Sequence, residues 1–220
     1  MPSYSGVFTL QAQMQAIGAN NWPVVIPAIG SAFGGGFFAG QISTAGNGIA
    51  DYNLVVGPAA TAQASGKQWK TSNTSTTGTS SVIDGPTNSA NMNNASHPAA
   101  QFCEGVSVGG FSDWYMPAKN ELEVCYYNLK PNTTANNTSS GINANAVPAR
   151  ASNYSSGTPA RTSVTDFQSA NSESFLIGEY WSSTENSSTL AWLQSFDSGL
   201  QLNYSKGYSA QVRAIRRVAV

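Results

Sequence analysis

The sequence predicts an α+β domain in which two helices flank a small twisted antiparallel sheet, with long polar loops between the elements. Apolar residues recur at helical spacing in two stretches, residues 88–106 and 118–129. From Tyr180 to Val218, short alternating segments are separated by turns, which indicates an antiparallel meander of strands. A chain of 220 residues is long enough for one substantial core, so we expect one main domain.

The clearest predicted element is the helix over residues 118–129. Pro117 favours the start of a helix within two residues, and Pro131 ends it. Ala118 stands at the expected N-cap and offers no hydroxyl for the capping box that Glu121 would complete. The apolar positions follow i, i+3, i+4 and i+7 and predict one buried face: Leu122, Cys125, Tyr126 and Leu129.

The first helical stretch contains Pro98, which either kinks one helix or starts a second one. His97 is the only histidine of the chain, so a zinc-dependent or histidine-dependent site has too few ligands, and we expect no metal or cofactor. Cys103 and Cys125 each fall on an apolar helical face. Buried free thiols are the simpler interpretation, and a disulfide between the two helices is the alternative.

Strands and loops account for most of the remaining domain. Residues 33–42 and 51–56 read as strands, and residues 71–94 and 132–174 as long polar loops. In the C-terminal meander, Val212 and Ala214 should face one way and Arg213 the other. Arginines at the end of the chain are expected to pair with Asp113 or Glu185, and the side chains of Trp114, Trp181 and Trp192 to be largely buried.

Residues 1–30 read as an N-terminal arm that is separate from the domain of residues 31–220. The arm is apolar and almost uncharged, so leaving it in water would expose a contiguous sticky segment. We expect it to be buried by docking on another protein or within a homo-oligomer, and padding of its own domain is the alternative.

The charge composition excludes several classes of function. The chain has 10 Lys and Arg residues against 11 Asp and Glu, so it has no basic field for nucleic acid. No apolar run is long enough to span a bilayer, and we expect no membrane insertion. Charged residues make up only 10% of the chain, against roughly 25% in ordinary soluble domains. Such surfaces suit secreted fibres, adhesins and virion components, or reflect a compositional habit of the source.

No complete catalytic constellation is evident in the sequence. A His-Glu-x-x-His pair is missing, and no cysteine can be placed beside the histidine. Paired carboxylates could serve glycoside hydrolysis, but turns, helix ends and ion pairs explain Asp113, Glu121 and Glu185 better. We therefore expect a protein that is not an enzyme.

Five separated motifs carry a family resemblance, in this order: Asp113-Trp-Tyr-Met-Pro117 followed by Glu121-Leu122, Tyr180-Trp-Ser-Ser-Thr-Glu185, Ala191-Trp192, Phe196 with Gly199, and Val212-Arg-Ala-Ile-Arg-Arg-Val218. With them the sequence resembles the DUF1566 family, also called the Lcl C-terminal domain family, over roughly residues 34–218. Its clearest relatives are phage and prophage proteins that share the segment His97-Pro-Ala-Ala-Gln-Phe-Cys103. The resemblance implies a C-type-lectin-like fold.

That broader class includes both binding proteins and formylglycine-generating enzymes. The enzymes use a pair of cysteines in their C-terminal half, whereas both cysteines here precede Tyr126, which speaks against that activity. The Glu-Pro-Asn, Gln-Pro-Asp and Trp-Asn-Asp motifs of calcium-dependent sugar binding are missing too. The resemblance thus implies the scaffold without its usual metal, with recognition by aromatic platforms and neutral polar groups.

Related phage proteins place their ligand-contacting residues in the C-terminal part of the fold. The matching candidates here are Asn186, Ser187, Ser188, Asn203, Tyr204, Lys206 and Tyr208. We expect a virion protein of the tail tip, fibre or another tail-associated part that binds a host-surface glycan or protein and contacts other tail proteins. Trimers are favoured by analogy to fibrous phage proteins. The alternative is an architectural virion protein whose lectin-like domain contacts only neighbouring subunits, and an enzyme of the formylglycine-generating type is a remote third.

Overall fold

The computed structural model describes residues 26–220, so most of the predicted arm, residues 1–25, lies outside the described part of the chain. In chain order the elements are β1 (Ala32–Phe33), β2 (Gly36–Ile42), β3 (Tyr52–Val56), α1 (Ala59–Ala62), β4 (Gln63–Gln68), α2 (Gly85–Ala90), α3 (Pro98–Glu104), α4 (Lys119–Leu129), β5 (Ala146–Val147), a 3-10 turn (Thr165–Phe167), β6 (Glu179–Glu185), β7 (Leu190–Ser195), β8 (Gln201–Ser205), β9 (Ser209–Arg213) and β10 (Ile215–Ala219). The α+β class is confirmed.

The strands form two sheets instead of the single small sheet that was predicted. The first sheet has the order β1-β2-β3-β10, and β5 adds to β2. The second has the order β4-β9-β6-β7-β8. All pairings are antiparallel except that of β6 with β9, which is parallel and joins Tyr180 to Gln211.

The predicted meander is therefore correct only for β6, β7 and β8. The next strand, β9, does not continue from β8 but crosses to lie between β4 and β6. The chain then passes through Ala214 into β10, which pairs with β3 in the other sheet. The alternation of apolar and polar residues runs through β9 and breaks at the change of sheet, where Ala214 and Ile215 are adjacent apolar residues and Arg216 and Arg217 are adjacent charged ones.

The first predicted helical stretch is two helices, α2 and α3, so a single helix over residues 88–106 is wrong. Pro98 is the first residue of α3, where its missing N–H costs nothing, and this was the second of the two alternatives. Helix α2 starts earlier than predicted because Asp84 caps it, with Oδ1 accepting a hydrogen bond from Thr87 N at 3.3 Å.

Helix α4 is confirmed in its position and in its buried face. Ala118 is the N-cap, and its N–H donates to Glu121 Oε2 at 2.7 Å, which is the half of a capping box that needs no N-cap side chain. The four predicted apolar residues are all buried. Glu121 and Glu123 are buried as well, because Arg217 and Arg150 neutralise them.

The core has two adjoining parts. One lies between α4 and the first sheet, and the other contains Trp69, Trp114 and Trp181. Trp114 and Trp181 are fully buried, and Trp192 is less deeply buried than either. It stands on the opposite face of β7 from Leu193, and the Lys119 ammonium lies 3.9 Å from the centre of its ring.

Residues 33–42 form a hairpin instead of the single predicted strand. Gly34 and Gly35 have φ values of 54° and 82°, and they turn the chain between β1 and β2. Gly109, at φ 64°, packs its backbone against Gly35, and a Cβ atom there would lie 2.4 Å from Gly35 Cα. Two glycine turns that are distant in the sequence thus meet backbone to backbone.

The C-terminal arginines lock the two sheets to the loops. Arg213 is buried on the side opposite Val212 and Ala214, as predicted, and its Nη2 atom lies 2.9 Å from Glu173 Oε2. Arg216 pairs with Asp113 at 2.7 Å, which confirms that pairing. The alternative prediction, that an arginine pairs with Glu185, is wrong, because the partner of Glu185 is Lys206.

The two long polar segments lack regular structure for most of their length, as predicted. Side chains hold the second one in place: Asn136 Nδ2 donates to Pro159 O at 2.9 Å, and its Oδ1 accepts from the Tyr126 hydroxyl at 2.6 Å. Cys103 and Cys125 are buried free thiols, so the disulfide alternative is excluded. Within residues 26–220, none of the helices is both long and apolar enough to cross a bilayer.

Candidate functional site

The candidate site lies on one face of strands β6, β7 and β8. Trp181 pairs with Leu193, and Leu193 pairs with Leu202, so these three side chains share a face across the strands. Tyr204 is two residues beyond Leu202 on the edge strand and therefore projects from the same face. Trp181 is fully buried beneath it, which gives this face a rigid apolar floor.

Two of the predicted site residues, Tyr204 and Tyr208, come together at the edge of this face. Their ring centroids are 4.8 Å apart and their planes are inclined by 69°, an edge-to-face arrangement. Tyr204 is 46% exposed and Tyr208 is 39% exposed. Neither phenol group has a hydrogen bond to another described residue. The pair is thus a preformed aromatic surface that is open to a ligand.

Lys206, between these tyrosines in sequence, is not available for binding, and its selection as a contact residue is wrong. Its side chain is fully buried, forms an ion pair with Glu185 and donates to Thr74 O and Ser188 O, each at 2.9 Å. Its ammonium also lies 4.7 Å from the centre of the Trp69 ring. Burial lowers the pKa of Lys206, while Glu185 opposes that shift. Lys206 thus holds the loop at Thr74 and the turn at Ser188 in place.

The remaining predicted residues lie apart from the tyrosine pair. Asn186, Ser187 and Ser188 are exposed in the turn between β6 and β7, where Ser187 Oγ accepts from Leu190 N at 3.2 Å. Asn203 is half-buried on the opposite face of β8 from Tyr204 and faces Trp192 across the strands. The predicted set therefore divides into a polar turn, a buried lysine and an aromatic pair.

A small pocket opens beside the two tyrosines, and we call it the tyrosine pocket. It encloses about 160 Å³ and is lined by Glu179, Leu193, Leu202, Tyr204 and Tyr208. Sequence reasoning missed Glu179 and the two leucines. The available signal was strand alternation, because Glu179 stands two residues before Trp181 and so shares its face.

A second depression, of about 390 Å³, adjoins the tyrosine pocket through Glu179 and Tyr208. Leu176 and Ile177, which are 45% and 49% exposed, contribute its apolar wall. Gln211 lies in it with its Nε2 atom 3.4 Å from Ile177 O, and its Oε1 atom is buried without a donor among the described residues. Together the two depressions form a partly apolar trough with acceptor groups.

His97 lies away from this site in a polar cluster that holds the loop of residues 71–79. Its Nε2 atom and the Lys70 ammonium each lie 2.9 Å from Thr76 Oγ1. Burial, with Lys70 and Lys206 nearby, lowers the pKa of His97 to about 4. Across the described chain, no three His, Cys, Asp or Glu side chains are grouped so that they could hold a metal ion.

The model of the Lcl C-terminal domain family matches residues 59–216, which is more than half of the chain. The chain belongs to this family. The matched Lcl C-terminal domain includes β4, α2 to α4 and all five residues that line the tyrosine pocket, and it ends within β10. A search of curated proteins gave no match.

In this Lcl C-terminal domain, the residues of the sequence motifs are structural. Asp113 and Glu121 hold Arg216 and Arg217 of the last strand, while Glu185 holds Lys206. These three ion pairs connect the segment before α4 and the first turn of α4 to β10, and the end of β6 to the turn between β8 and β9. Glu179 and the tyrosine pair lie outside these ion pairs, so the trough does not depend on the motif residues for its polar groups.

Proposed function

We propose that this protein is a phage virion protein of the tail tip, fibre or another tail-associated part, and that its C-type-lectin-like domain binds a host surface. Family membership and the resemblance to phage and prophage members support this assignment. The low charge content suits a particle component. The observation that carries the proposal is the exposed pair Tyr204 and Tyr208 beside the tyrosine pocket.

Exposed aromatic rings next to a concave, partly apolar pocket are the features that dominate binding energy at recognition sites. Tyrosine adds a large rigid contact area and a hydroxyl that can bond to polar ligand groups. Here the rings are fixed against each other and over Trp181, whose ring centroid lies 6.4 Å from that of Tyr208. The tyrosine side chains therefore lose little conformational entropy when a ligand binds, and this favours recognition.

The proposal is for a binding protein and not for an enzyme. The three motif carboxylates, Asp113, Glu121 and Glu185, are each bonded to an arginine or a lysine. Two of them also accept from the backbone, Glu121 from Ala118 N at 2.7 Å and Glu185 from Thr76 N at 3.1 Å. These carboxylates therefore have structural partners that account for their positions.

Adsorption of particles to host cells tests the proposal. Particles carrying Tyr204→Ala together with Tyr208→Ala should adsorb at least tenfold more slowly than wild-type particles, because the aromatic surface is removed. Particles carrying Ile142→Ala are the matched control, since Ile142 is 58% exposed outside the trough. Wild-type adsorption by the double-tyrosine particles would contradict receptor binding at this surface. Failure of that variant to enter particles would instead favour the architectural alternative.

We also propose that the N-terminal arm attaches the domain to other copies or to a tail protein, with a trimer favoured. Where the described chain begins, Ile26 is 55% exposed beside an apolar groove of about 460 Å³ that includes Ile29 and Phe38. Deleting residues 1–27 should leave a folded domain and reduce the mass measured by light scattering to that of a monomer. An unchanged oligomer that still enters virions would show that the arm only pads its own domain.

A further inference from the structure

The trough contains hydrogen-bond acceptors that have no donors among residues 26–220. Glu179 is half-buried as a residue, and its carboxylate, which solvent reaches, makes no hydrogen bond or ion pair with any of these residues. Gln211 Oε1 is buried and has no donor within the same residues. A buried acceptor without a donor is costly, so Gln211 Oε1 favours a ligand that donates a hydrogen bond. Glu179 places a negative charge with no cation of the described chain beside aromatic and apolar side chains, which favours a ligand group with a positive charge.

The rest of the described chain shows how this protein satisfies such groups. Five of its acidic side chains, Asp113, Glu121, Glu123, Glu173 and Glu185, pair with an arginine or lysine of the chain. Many of the same cations also lie over aromatic rings, as Arg150 does over Tyr127 at 4.2 Å and Lys206 over Trp69 at 4.7 Å. A carboxylate beside an aromatic ring and a cation is thus a repeated unit of this fold.

The tyrosine pocket contains the carboxylate and the rings of that unit but lacks the cation. We propose that a lysine side chain of a host-surface protein supplies it, and this inference rests on the proposed function of the same site. The four-carbon stem packs on Leu193 and Leu202, and the ammonium lies against the tyrosine rings and donates to Glu179.

Three alternative ligands of the tyrosine pocket fit less well than a lysine of another protein: a second copy of the chain, a quaternary ammonium and a neutral sugar. Its five lysines, Lys67, Lys70, Lys119, Lys130 and Lys206, are all buried or half-buried, so a second copy presents no exposed lysine to this pocket. A quaternary ammonium has no N–H and would leave Glu179 and Gln211 without donors. A neutral sugar would satisfy the acceptors but leave the charge of Glu179 without a counter-charge.

Calorimetry on the full chain tests the ligand class with a pair of probes that differ by the ammonium alone. Nα-acetyl-lysine methylamide should bind at least tenfold more tightly than Nα-acetyl-norleucine methylamide, which has a similar stem without the charge. Choline and galactose should each bind at least tenfold more weakly than the lysine probe. Equal affinities for the lysine and norleucine probes, or tighter binding of choline or galactose, would overturn the inference.

Substitution locates the site. Glu179→Gln keeps the shape of the side chain and should lower the affinity for the lysine probe at least tenfold. Asp166→Asn is the matched control, because Asp166 is an exposed carboxylate outside the trough, and it should leave the affinity unchanged. Near-ultraviolet circular dichroism confirms that each variant is folded. Wild-type affinity in the folded Glu179→Gln variant, or an equal loss in both variants, would contradict the inference.

Adsorption of Glu179→Gln particles separates this inference from the proposed function. If both hold, these particles adsorb at least tenfold more slowly, as the double-tyrosine particles do. If receptor binding holds but the ligand is not a lysine, the double-tyrosine particles lose adsorption and the Glu179→Gln particles keep it, which overturns the inference alone. If calorimetry shows lysine binding while both variants adsorb normally, the ligand chemistry stands and the proposed function fails.

Discussion

Removing the carboxylate of Glu121 should destabilise the domain far more than removing that of Asp113, although both pair with an arginine of β10. Glu121 has no exposed side-chain surface, and it accepts from the Tyr115 hydroxyl at 2.6 Å, from Ala118 N at 2.7 Å and from Arg217 Nε at 2.7 Å. In the variant Glu121→Ala, all three donors lose their acceptor inside the core. Breaking a buried pair in this way costs about 3–5 kcal/mol.

The side chain of Asp113 is 57% exposed, so water can take its place beside Arg216. Arg216 also keeps its hydrogen bond to Gly34 O at 2.9 Å and its contact with the Phe111 ring. The variant Asp113→Ala should therefore cost about 1 kcal/mol or less, as exposed pairs do. Glu121→Gln retains an acceptor and should fall between the two.

Urea denaturation monitored by tryptophan fluorescence gives the free energy of unfolding of each variant. The expected order of stability is wild type, Asp113→Ala, Glu121→Gln and Glu121→Ala, with a gap of at least about 2 kcal/mol between the two alanine variants. Equal losses for these two variants would refute the argument that burial, and not the ion pair itself, sets the cost.

Three further predictions concern pH, thiols and a turn. Because the pKa of folded His97 is about 4 against an ordinary 6.5, stability should be complete above pH 6.5 and decline toward pH 4, by at most about 1.4 kcal/mol per pH unit. Denaturation at pH 7.5, 6 and 5 should show that the free energy of unfolding declines less steeply for the variant His97→Gln than for the wild type. Equal slopes for the two proteins would contradict this. Burial raises the pKa of Cys103 and Cys125, so a chromogenic disulfide reagent should label both thiols in urea and neither in native buffer. Gly109→Ala should cost at least about 2 kcal/mol in urea denaturation through strain and a backbone clash, and more than Gly110→Ala, which meets nothing within 4 Å.

The elements that the sequence predicted well are those whose signal is local. Helix α4 has its apolar period, its start at Pro117 and its end at Pro131 within one stretch, and its observed position differs by a single residue. Strand β3 is ended by Gly57 and Pro58 as expected. In each of these cases, propensity and packing agree.

The features that sequence reasoning missed depend on pairing between distant segments. Whether β9 pairs with β8 or with β6 is decided by which partners cover its two edges, and the alternation of β9 is the same in either arrangement. Lys206 looked like a surface lysine because Ser205 and Gly207 beside it are typical of a turn, but Glu185 and Trp69 reach it from elsewhere in the chain. Glu179 was missed because the predicted strand began at Tyr180, although the alternation of β6 places Glu179 on the same face as Trp181.

The crossing from β9 to β10 is one of two short covalent crossings that would carry force between the sheets. The tyrosine pocket belongs to the second sheet, whereas Ile26, the first described residue, lies beside β2 of the first sheet. The other crossing runs from β3 through α1 into β4. The five residue pairs between β10 and β3, and the pairing of β4 with β9, hold the two crossings side by side, so a pull between a bound receptor and the N-terminal end would be shared between them.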